Sequence, residues 1–146
     1  MIAKSDFELY CSILKNLPTL AKEIEATRSG LHALDGMPRS PRIKGKAEAM
    51  YTRGTGIPAA PTEALAMRRI EMKENLARLV AEYEGHRRTV ERIGARIVAT
   101  RHDVGEKPIR LAYEQYYCGR TQREIAERHY TTRQTVARLI ALAIVD

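Results

Sequence analysis

The sequence predicts an all-α protein, and three observations carry that reading. Aromatic residues make up only 5% of the 146 residues, with a single Phe and no Trp. That composition suits long helices better than a sheet sandwich. Two long stretches carry apolar residues at alternating three- and four-residue spacing, the period of one helix face. The last 41 residues, Glu106 to Asp146, contain two helix starts written as capping threonines. The expected layout is an N-terminal, coiled-coil-like antiparallel helical hairpin over residues 1–101, then a small helix-turn-helix head over 102–146.

The first helix is expected over residues 5–34. Phe7, Tyr10, Leu14, Leu17, Ala21, Ile24 and Leu31 form its apolar stripe. Pro18 interrupts the stripe. Proline lacks the backbone donor and clashes with the preceding turn, so a kink or short break is expected there. Residues 36–62 change character, with four Pro, four Gly and five Lys or Arg against one Glu. They read as a mobile basic loop. Gly45-Lys46 is followed by Ala47, so the Gly-Lys-Ser/Thr ending of a phosphate loop is missing.

A long helix is expected over residues 63–101, capped by Thr62. Leu65, Met72, Leu79, His86 and Ile93 recur every seven residues, with Arg69, Leu76, Tyr83, Val90 and Ile97 on the neighbouring heptad position. Together they form an a/d seam of about four heptads. Acidic and basic residues alternate on the outer faces, giving i,i+4 pairs such as Glu74–Arg78. The apolar stripe exceeds what two helices and a small head would cover, which points to a homodimer through the seam.

His102 to Gly105 break the chain before the head. Pro108 then sits early in a helix that turns Ile109, Leu111, Ala112, Tyr116 and Cys118 inward and stops at Gly119. Thr121-Gln122-Arg123-Glu124 is a capping box. Thr132 caps a last helix, 133–144, with Val136, Leu139, Ile140 and Ala143 inside. Two short crossing helices of this kind are a helix-turn-helix, whose second helix enters the DNA major groove.

The segment LAYEQYYCGRTQREIAERHYTTRQTVARLIALAI resembles region four of sigma-70-type transcription factors. The resembling pieces are the helix ending in an aromatic and a Gly, the Thr-x-x-Glu-Ile-Ala of the second helix, and the Thr-Arg-x-Thr-Val opening the third. The whole chain is similar in layout to small phage regulators of the ArpU/RinA type. The resemblance implies a prophage or phage transcriptional regulator, acting in the bacterial cytoplasm on double-stranded DNA, with host RNA polymerase as a further partner.

On that head the outward residues Arg133, Gln134 and Arg138 are expected to meet base edges, since Arg can bond guanine bidentately and Gln adenine. Arg120, Thr121, Arg123 and Thr132 are expected at phosphates, which position the head without reading sequence. The net charge of +7 favours a polyanionic partner. The excess lies in the loop and the long helix, while residues 102–146 hold seven Lys or Arg against six acids. Cys11 and Cys118 form no CxxC and are expected to be buried thiols. The four His show no metal-ligand spacing with Cys or acids, and no nucleophile–base pair can be assembled. A non-enzymatic protein without metal or cofactor is expected, with no membrane segment. Two alternatives remain: a small terminase-like DNA-packaging protein, or a module that docks on RNA polymerase without reading DNA.

Overall fold

The computed structural model describes residues 1–36 and 59–146. Among them run β1 (Ile2–Ala3), α1 (Lys4–Asp35), α2 (Ala59–Val104), α3 (Glu106–Tyr116), α4 (Gln122–Arg128), α5 (Arg133–Ala143) and β2 (Ile144–Val145). The protein is all-α, with one two-residue parallel ladder, Ile2 opposite Ile144 and Ala3 opposite Val145. No strand signal marks either position in the sequence, because two residues are too few to show an alternating pattern. The basic loop expected over 36–62 lies outside the described residues up to residue 58. At its end the expectation is corrected. α2 begins at Ala59, so Thr62 lies inside the helix rather than at its cap. Pro61 falls in the first turn, where backbone N–H groups have no helical partner to lose.

The chain divides into two compact units. One comprises residues 1–19 with 83–146, the other residues 20–82. These units do not divide at residue 102. The head does not close its own core. Ile109, Leu111, Ala112, Ile125, Ala126, Val136, Ile140, Ala143 and Ile144 share one cluster with Ile2, Phe7, Cys11, Ile93 and Ile97. A head of about 45 residues buries too little by itself, and the ends of α1 and α2 complete it.

Within this first unit α1 and α2 run antiparallel. Asp6 Oδ2 accepts from Arg96 Nη1 at 3.0 Å, and Tyr10 faces Gly94. Phe7 is the anchor: it is 1% exposed and meets the Tyr116 ring edge-on at 5.6 Å. The expected break at 102–105 is shorter than predicted. α2 runs through Val104, and the chain turns at Gly105 alone, with φ of 90°. Only glycine takes that backbone without strain. Cys11 is buried as expected, but Cys118 is exposed. The reason is that α3 ends at Tyr116, so Cys118 falls in the loop beyond the apolar face.

The described residues of the second unit form a seam of two antiparallel helix segments. Leu20, Ile24, Leu31 and Leu34 of α1 and Leu79 of α2 are its buried side chains. Gly30 lets the helices approach: a Cβ there would lie 2.5 Å from Met72 Cε. Arg69 Nε lies 3.0 Å from Asp35 Oδ1 and its Nη2 donates to the Leu34 carbonyl. The a/d positions of α2 are the residues that turn inward, from Leu65 and Met72 to Ile93 and Ile97. The heptad seam is thus covered inside the single chain, in each unit by α1. Three details differ from expectation. Pro18 does not end α1, which is continuous from Lys4 to Asp35; proline costs one backbone bond, on an exposed position, while buried Ile13 and Leu20 hold the helix on either side. Ala21 is exposed and Leu20 takes its place in the 3-4 register. Arg78 donates to Asn75 at 2.6 Å rather than pairing with Glu74.

Candidate nucleic-acid interface

The head is built by three short helices in a row. α3 supplies the floor with Ile109, Leu111 and Ala112. A loop then turns at Gly119, whose φ of 72° again suits glycine. α4 starts at Thr121, whose hydroxyl accepts the backbone N–H of Glu124 at 3.2 Å. α5 starts at Thr132, whose hydroxyl accepts from the Thr135 N–H at 3.2 Å. Each cap satisfies a donor that the helix itself leaves open, at about 1 kcal/mol per cap. Both helix starts fall where the sequence places them. The reciprocal bond from Glu124 to Thr121 is absent among the described residues.

α5 lays Val136, Ile140 and Ala143 onto the floor, with Leu139 half-buried beside them. At roughly 100° per residue, positions 134 and 138 then share an arc on the opposite side, while position 133, one heptad before Ile140, lies at the open first turn. Arg133, Gln134 and Arg138 are all exposed. Neither arginine has an ion-pair partner among the described residues. The helix ends at Ala143, one residue before the expected limit, because Ile144 enters the ladder with Ile2.

The four residues expected at phosphates fall into different settings. Arg123 is exposed and lies 4.0 Å from Glu127 in a loose i,i+4 pair. Thr121 and Thr132 are exposed but their hydroxyl oxygens serve as caps, and Thr132 Oγ1 also lies 2.8 Å from Thr135 Oγ1. Arg120 is the most constrained. Its Nη1 donates to Glu114 Oε1 at 3.2 Å, and its backbone N–H bonds the Glu114 carbonyl.

Sequence reasoning missed Glu114. Its carboxylate is 11% exposed and receives Arg120 at 3.2 Å, Arg128 Nε at 3.6 Å and His129 Nε2 at 2.8 Å. One acid on α3 therefore ties down the loop before α4 and the turn after it. Charge-assisted bonds of this kind contribute about 1.5–3 kcal/mol when shielded, less for Arg128, whose side chain is 56% exposed. The available signal was positional. Glu114 stands three residues after Leu111, on the inward side of α3, where an acid needs partners.

The arrangement holds no nucleophile beside a base. It offers a guanidinium group and a carboxamide on the outward face of α5 and a second guanidinium at its first turn, framed by capped helix ends. Comparison with family models, with curated proteins and with solved structures finds no match to the chain.

Proposed function

We propose that the chain is a sequence-specific DNA-binding transcriptional regulator, of the phage or prophage type its head resembles. Arg133, Gln134 and Arg138 on α5 read base edges in the major groove. Arg120, Arg123, Thr121 and Thr132 set the head against the phosphates. The observation that carries this reading is the pairing of two capped helices with an outward face whose arginines lack internal partners. Guanidinium groups held free on a rigid face suit the bidentate acceptors of guanine. A homodimer belongs to the proposal, since paired heads would read paired half-sites. The seam itself is used inside the chain, and on α2 Met67, Ile70 and Val98, 57%, 52% and 62% exposed, are apolar side chains left for a partner.

The test is a gel shift with the DNA flanking the protein's own gene, at several salt concentrations. Arg133→Ala and Arg138→Ala are expected to lower specific affinity by about 1–3 kcal/mol each, with the helical circular dichroism unchanged. Wild-type binding by both variants would remove α5 from the role. A mass in solution of eight or more subunits would favour the packaging reading over the regulator.

A further inference from the structure

Tyr130 stands apart from every other aromatic among the described residues. Its ring is 98% exposed. Its backbone has φ of 53°, the one non-glycine residue with positive φ among those described. A bulky side chain in this region is an outlier, because Cβ crowds the carbonyl. Gly or Asn would hold the same turn at lower cost, and no packing repays the tyrosine. Strain of this sort persists where the surroundings fix it and concentrates at functional sites.

The surroundings do fix it. The His129 N–H bonds the Ile125 carbonyl at 3.1 Å, and its ring lies 2.8 Å from Glu114 Oε2. On the other side the Thr131 N–H bonds the Ala126 carbonyl at 2.9 Å, and Thr132 caps α5. Two pinned neighbours thus hold the phenol out into solvent, three residues before Arg133. That is the turn leading into the helix whose first residues face bases, and the rim of the groove there is lined by phosphates.

We infer that Tyr130 is a DNA-backbone contact, its hydroxyl donating to a phosphate oxygen beside the groove that α5 enters. The inference rests on the DNA-reading role of α5. It adds a neutral contact that positions the head without reading sequence. Because the phenol carries no charge, its bond releases no counterion. Its loss changes affinity and leaves the salt slope alone.

The experiment compares wild type with Tyr130→Phe, Tyr130→Gly and Arg133→Ala on a cognate and a random duplex across salt. Tyr130→Phe is expected to weaken binding to both duplexes about two- to tenfold, the value of one hydrogen bond, with an unchanged slope of log K against log salt. Tyr130→Gly weakens both at least as much, and its melting temperature is not below wild type, since no packing is lost. Undiminished affinity in both tyrosine variants, with Arg133→Ala weakened, would overturn the Tyr130 contact and leave the α5 reading standing. A lower melting temperature for Tyr130→Gly with unchanged binding would assign the residue to the fold instead. No salt-dependent binding by wild type would end both readings together.

Discussion

The two compact units use the same two long helices and reach different kinds of interior. Among the described residues of 20–82 the two helices cover each other, and the buried side chains form a single row of leucines and Ile24. In residues 1–19 with 83–146 the same helices meet three more, and Ile2, Ile93, Leu111, Ala112, Ile125, Val136 and Ala143 are shielded completely. A two-helix seam leaves every side chain near solvent on two sides, whereas a third layer closes the interior. The difference teaches that the head and the adjoining helix ends are one cooperative structure. α5 stands on a floor that residues 2–11 help to build.

The strongest way to break this comparison is to remove what the head borrows. A fragment of residues 102–146 lacks Ile2, Phe7, Cys11, Ile93 and Ile97. It is expected to show little helicity and no cooperative melting by circular dichroism. A sharp thermal transition in the fragment would restore the head as an independent domain.

Next in size is a matched pair of core truncations. Leu111→Ala empties a fully enclosed site and is expected to cost ~3–5 kcal/mol, speeding amide exchange from residues 5–15 to α5 alike. Leu31→Ala, in the seam, is expected to cost ~2 kcal/mol, because two helices can close on the gap. Its exchange effect stays within residues 20–82. Equal costs, or a Leu111→Ala effect confined to α3, would contradict the division.

Cys11 sharpens the comparison through pH. Burial pushes its thiol up from 9.0 to about 11, with nearby Lys15 opposing the rise. The folded state therefore holds the proton more tightly than the unfolded chain. The stability this provides is whole below pH 9 and is lost as pH climbs towards 11, on the order of 2 kcal/mol. Against Cys11→Ala, the wild type should lose more melting temperature over that interval. At pH 8 a thiol reagent should label exposed Cys118 quickly and Cys11 only on unfolding. Fast labelling of both would place Cys11 outside the core.

The smallest effects come from two helix glycines and carry the opposite sign. A Cβ at Gly85 meets nothing within 4 Å, so Gly85→Ala should stabilise by ~0.5–1 kcal/mol. Gly30→Ala gains less, because the Met72 methyl must move aside. Chemical denaturation ranks the two. A destabilised Gly85→Ala would mean that this glycine has a task the helix does not reveal.

The long helices and both caps were legible because their signals are local. Heptad spacing marked the inward face of α2, and Thr121 and Thr132 stand where a hydroxyl must meet an open N–H. The shared core was not legible. Nothing in the local pattern of Phe7 or Cys11 tells which distant helix will cover it. The continuity of α1 through Pro18 escaped for the opposite reason, since a strong local breaker was overruled by packing on either side. At the candidate site the outward face of α5 followed from its apolar positions. The Glu114 cluster did not, because it joins groups from three segments. Tyr130 could not be told from a packing aromatic, since a backbone angle leaves no mark on residue type.

The ladder between Ile2 and Ile144 also dictates an order of events during synthesis. Ile2 leaves the ribosome 142 residues ahead of its partner Ile144. At ~5–20 residues per second the gap is roughly 10–30 s. Throughout that interval Ile2 and Phe7 have no finished pocket to enter. The nascent chain can pair its long helices early, but the core beneath α5 waits for Ile144. Until Ile144 has been made, Arg133 and Arg138 stand on an unfinished support, and the floor under α5 closes in one step rather than by degrees.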